Sequence, residues 1–104
     1  MPLFCIHGLD REGHLCVREA NYAAHRAYLE TAAAQGITLH ASGPLVSEDG
    51  ARMIGSLFLV EADSLATVTT FNAADPFAKA GLWASVSINR FNLRRGQVGT
   101  APNI

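Results

Sequence analysis

Residues 37–61 read ITLHASGPLV–SEDG–ARMIGSLFLVE, two largely apolar segments joined by a short polar turn. Such a pattern predicts a β-hairpin, with strands over 37–46 and 51–61 and a turn at 47–50. Two details mark these strands as unusual. Gly43-Pro44 interrupts the end of the first, and Gly55 interrupts the second, where glycine signals a bulge or a close backbone approach. The second strand is also apolar on both faces, with Met53, Leu57 and Leu59 on one side and Ile54, Phe58 and Val60 on the other.

On either side of the hairpin the period changes from two to about 3.6. Residues 18–35 are rich in Ala, Leu and Glu with no internal Gly or Pro, which predicts a helix; Asn21 is a candidate late cap and Gly36 a left-handed C-terminal stop. After the hairpin, Asp63 or Ser64 can cap a second helix carrying Leu65, Val68 and Phe71, and Asp75-Pro76 opens a further turn, DPFAKAG. The outermost segments, PLFCIHGL at 2–9 and LWASVSINRF at 82–91, read as strands. The order βαββαβ, with right-handed crossovers, predicts an α+β ferredoxin-like sandwich: a four-stranded antiparallel sheet with its helices on one face. A helix-poor barrel fits worse, because 18–35 is strongly helical. The domain is expected over 1–92, followed by a C-terminal tail over 93–104.

An antiparallel sheet with one wet face alternates apolar and polar residues, and the first and third strands here do not. Charged residues make up 16% of the 104-residue chain, against roughly 25% in a typical soluble domain. Both observations predict that a second copy covers the open sheet face, giving a homodimer of the dimeric α+β barrel type. The formal net charge is −1 and no basic stripe is present, so a nucleic-acid partner is not expected. No segment is long or apolar enough for a membrane span or a signal peptide, and the expected location is the cytoplasm.

The four histidines are the first candidates for proton transfer at neutral pH. His25 shares a helix face with Tyr22, Leu29 and Ala32, a face that points at the sheet. It is either a core histidine or a general base held in one tautomer by a carboxylate. Asp75 reads first as a helix cap, since Asp-Pro is a common helix start, yet capping leaves one carboxylate oxygen for a histidine. Gly43, Pro44, Gly55 and Ser56 are candidate substrate-binding positions if the missing side chains leave a hollow beneath His25. Ser56 lacks a nucleophile elbow and reads as a contact rather than a nucleophile. His7, His14 and His40 have no metal-ligand spacing, Cys5 and Cys16 no redox or metal spacing, and no phosphate-cradling loop or dinucleotide fingerprint occurs. No metal and no cofactor are expected.

The stretches AAHRAYL at 23–29, GITLHASGPL at 36–45, IGSLFLVEA at 54–62 and DPFAKAGLWASVSINRF at 75–91 fall in the order and spacing of one family. On them the chain resembles the YCII-related (YciI-like) proteins over most of residues 2–91. The resemblance implies a ferredoxin-like fold, a dimer joined through the sheets, and an active site built on a His-Asp pair, here His25 and Asp75. It also implies a kinship with small degradative enzymes, among them a dehydrochlorinase of a chlorinated aromatic. Many relatives carry Arg-Pro ahead of the histidine where this chain has Asn21-Tyr22-Ala23-Ala24, which leaves Arg18 and Arg26 as the nearby candidates for binding an anion.

Two readings of function follow. In the first, His25 and Asp75 carry cofactor-independent acid–base chemistry, of a lyase, dehydrochlorinase or isomerase kind, on a small carbonyl compound or aromatic acid. In the second, the same pocket binds a metabolite without turnover and the pair is structural. An imidazole bonded at both nitrogens inside the core points to the second reading, and one with a nitrogen facing an open cavity points to the first.

Overall fold

The structure, a computed structural model, describes residues 1–97. Four strands, β1 (Leu3–Asp10), β2 (Thr38–Val46), β3 (Met53–Glu61) and β4 (Trp83–Phe91), form one antiparallel sheet in the order β2-β3-β1-β4. The helices α1 (Leu15–Leu29), α2 (Leu65–Ala73) and α3 (Pro76–Lys79) complete the expected βαββαβ order. Among the described residues β4, ending at Phe91, is the last element, and part of the expected tail, residues 98–104, lies outside them.

The core lies where one face of the sheet meets the helices. Phe4 and Ile6 of β1 and Phe58 and Val60 of β3 are buried there against Val68 and Phe71 of α2, Phe77 of α3, and Ile37. Burying side chains of this size contributes about 1.5–3 kcal/mol each. Alternate residues of the same strands face the other way. Leu9, Leu57 and Phe91 are 41%, 40% and 39% exposed, so this chain by itself leaves an apolar sheet face open. Met53 departs from simple alternation. The β2–β3 register shifts between Leu45 and Val46, and Met53 lines the cavity beside Ser56 and Phe58 instead of joining Leu57.

The first helix also differs from its expected 18–35 span. It starts at Leu15, and Asn21 is no cap: its Nδ2 donates to the Val17 carbonyl inside the helix. The regular helix stops at Leu29, where the Thr31 hydroxyl donates to the Tyr28 carbonyl and competes for a helical acceptor. A 3-10 turn, Ala33–Gln35, and Gly36 at φ 76° then swing Ile37 into the core. Of the two candidate caps for α2, Ser64 accepts from the Thr67 N–H, and Asp63 takes the Thr67 hydroxyl instead.

Two features of the sheet bear on the site. Gly55 sits against β1 so closely that a Cβ there would collide with the Gly8 carbonyl oxygen. β2 is an edge strand, which is where Pro44, with no N–H to give the ladder, can be accommodated.

Candidate active site

The chain crosses fifty residues to bring the candidate pair together. His25 projects from the inner face of α1, and the loop after α2 sets Asp75 at the start of α3, which packs on α1. His25 Nδ1 lies 2.9 Å from both Oδ1 and Oδ2 of Asp75. Oδ1 also accepts from the Phe77 N–H at 2.8 Å, so the cap and the histidine partner are one carboxylate. Asp75 is 1% exposed and His25 8%. Because carboxylate oxygens accept, Nδ1 is the donor of this pair, and in the neutral imidazole the lone pair then lies at Nε2. Nε2 has no hydrogen-bond partner among the described residues and is not sealed in the core. Phe77 holds the ring flat, stacked at 4.0 Å between centroids and 12° between planes, while Phe58 meets it edge-on at 5.9 Å.

His25 borders a cavity of about 930 Å³ between α1 and the β2–β3 side of the sheet. His25, Arg26, Gly43, Pro44 and Ser56 all line it. Asp75 stands behind His25, out of the lining, as an orienting group does. Gly55 is not among the lining residues; its contribution is the tight β1–β3 approach that sets Ser56 in place. Leu29, Leu39, Ile37 and Phe58 give the walls an apolar character, with Tyr22, Glu19 and Glu30 at the α1 side.

Arg18, which also lines the cavity, is 3% exposed. Its Nε and Nη2 donate to Oδ2 and Oδ1 of Asp10 at 2.8 and 2.9 Å, and Nη2 donates to Ser56 Oγ at 2.8 Å. Its Cζ lies 4.9 Å from the Phe77 ring centre, so the same phenyl ring contacts both the imidazole and the guanidinium. Asp10 carried no signal in the sequence, where it opens an ordinary polar loop; the requirement that a buried arginine be paired explains it only once Arg18 is seen to be buried. Ser56 touches Arg18 and not His25, which argues against a Ser-His-Asp nucleophile. No cluster of three or more His, Cys, Asp or Glu suited to a metal ion occurs among the described residues, and no helix there is long and apolar enough to cross a membrane.

The YCII-related domain family matches residues 2–92. Among solved structures, the chain is 41% identical to 5-chloro-2-hydroxyhydroquinone dehydrochlorinase from Burkholderia phenoliruptrix AC1100, solved in complex with 2,5-dihydroxybenzoquinone. The match covers 86% of this chain and 93% of that one, with a TM-score of 0.76. A dimeric ferredoxin-like protein of unknown function from Jannaschia sp. CCS1 shares the fold at 14% identity and a TM-score of 0.51, over 89% of this chain and all of the other (100%). No curated protein matches.

Proposed function

Since the chain belongs to the YCII-related family, we propose that it is a small-molecule enzyme in which His25, oriented by Asp75, acts as a general base and acid without a cofactor. The observation that carries this reading is the asymmetry of the imidazole: Nδ1 is fixed by Asp75, and Nε2 is left unpartnered at the cavity. In the forward step Nε2 takes a proton from the ligand. The C–H or O–H bond breaks, an N–H bond forms, and the released electron pair moves into the ligand's π system. Where the leaving group sits on a saturated carbon, as chlorine does in the keto tautomer of a chlorinated hydroxyl-bearing ring, that pair expels it as chloride with its own bonding electrons; otherwise the pair rests on a carbonyl oxygen until the proton is returned elsewhere. The first course is elimination and the second isomerisation.

Such a base contributes about 10²–10⁴-fold, so the ligand must be chemically predisposed to lose its proton, as hydroxylated or carbonyl-bearing rings are. The named activity of the 41% identical relative supports a ligand of that kind, a small hydroxylated ring. The active unit we propose is a homodimer joined through the open sheet face that carries Leu9, Leu57 and Phe91. Chloride release from 5-chloro-2-hydroxyhydroquinone tests the chemistry. H25A is expected to lose about 10²–10⁴-fold of the turnover; H25A turning over at the native rate would remove His25 from the mechanism.

A further inference from the structure

The guanidinium of Arg18 is a buried cation that the acid–base step does not use. Three of its five N–H groups are engaged, two with Asp10 and one with Ser56. The Nη1 edge has no partner among the described residues and is not among the sealed, unpaired atoms, and Arg18 lines the cavity. Ser56 accepts a hydrogen bond from Arg18, so its own O–H is left to donate, and Ser56 lines the cavity as well. Buried hydrogen-bonding groups left without partners are costly unless water or a ligand supplies them.

We propose that the Nη1 edge of Arg18 and the hydroxyl of Ser56 form an anion-binding corner, and that the cavity takes ligands bearing a phenolate, enolate or carboxylate oxygen. The placement of the cation is fixed from three sides. Asp10 grips its Nε/Nη2 edge in a two-point ion pair, Ser56 holds Nη2, and the Phe77 ring lies against its Cζ at 4.9 Å. A guanidinium held in this way is preorganised, so little reorganisation accompanies charge arriving at its free edge. The inference rests on the acid–base reading and gives it a destination for charge. As Nε2 takes the proton, the negative charge left on the ligand settles on the oxygen that Arg18 and Ser56 hold, and the Phe77 ring lies against both the base and the cation. Neutral rings of the same size fill the apolar walls equally well but leave the corner unsatisfied, so they bind less tightly.

The test is calorimetric, with acidic 2,5-dihydroxybenzoquinone and neutral hydroquinone as probes at neutral pH. The native protein is expected to favour the acidic probe by tenfold or more, since a charge-assisted hydrogen bond is worth roughly 10- to 100-fold in affinity. R18Q is expected to lose about that preference while holding hydroquinone within about twofold, and S56A to lose a smaller part of it. If R18Q does not fold, R18K, which keeps a charge beside Asp10 without the free fork, is expected to fall between the two. A native protein with no preference for the acidic probe, or R18K and R18Q that retain it in full, would overturn the corner. H25Q separates this inference from the catalytic one: it is expected to lose turnover and keep its affinity for the acidic probe. Unchanged turnover in H25Q would defeat the role of His25 and leave the corner standing.

Discussion

Asp75 serves His25 and helix α3 with the same carboxylate: Oδ1 accepts from the Phe77 N–H at 2.8 Å and lies 2.9 Å from His25 Nδ1. Stability and site geometry are therefore coupled through one side chain. D75A removes a cap, at about 1 kcal/mol, and a buried hydrogen-bonding partner of His25, at about 1–3 kcal/mol. D75N retains an acceptor for the Phe77 N–H and gives up part of the orientation of the imidazole. We expect D75A to melt well below the native protein and D75N to melt between them. Both should lose most of the turnover, which thermal melts and chloride release measure side by side.

The Gly55 backbone lies against Gly8 with no room for a side chain, whereas nothing lies within 4 Å of a Cβ built on Gly43. G55A must push β1 and β3 apart, at a cost of about 1–3 kcal/mol or more. G43A meets open space, and its stability should stay within about 0.5 kcal/mol of native. Denaturant titration distinguishes the two, and a G55A as stable as G43A would show that the sheet relaxes there freely.

The open face bears Leu9, Leu57 and Phe91. L57D places an unpaired charge on it, so sedimentation should report a homodimer for the native chain and a monomer for L57D. Cys5 is half-buried on the same face, and burial pushes its thiol above its usual value. It should react with a thiol reagent more slowly than the exposed Cys16, and, if L57D parts two copies, faster in L57D than in the native protein.

Glu61 accepts from His40 Nε2 at 2.9 Å, and this bond holds its carboxyl below the ordinary value of 4.5. A carboxyl lowered in the folded state stabilises the fold above its unfolded value, and that contribution fades as the pH falls through the folded one. E61Q should therefore be less stable than native at neutral pH, with the gap closing below about pH 4.5. A gap that persists unchanged in acid would assign the difference to packing.

The fold was legible because its signals are local: a hairpin at 37–61, a helix bounded by Gly36, and Asp75-Pro76 as a helix start all follow from short-range chemistry. The His25–Asp75 pairing was legible as a compatibility, since capping leaves an oxygen free, but its 2.9 Å contact depends on how α3 packs on α1. What stayed hidden depends on register and burial. Met53 changes sides because of a shift at Leu45/Val46, and Asp10 matters because Arg18, near the start of α1, is folded inward. Gly43-Pro44 and Gly55 mark an irregularity near that point without saying which residue changes sides, and the inward turn of a long basic side chain leaves no trace in residue order. Gly55 was readable as a close approach, but its partner, Gly8, was not.

Pro44 lies on β2, the outer strand that also lines the hollow. A strand rim with a full row of donors invites a foreign strand to add itself, the first step towards aggregates. Proline, which brings no N–H of its own, is one of the residues by which outer strands discourage such additions. One residue thereby discourages clumping and keeps the doorway for small guests from being walled over.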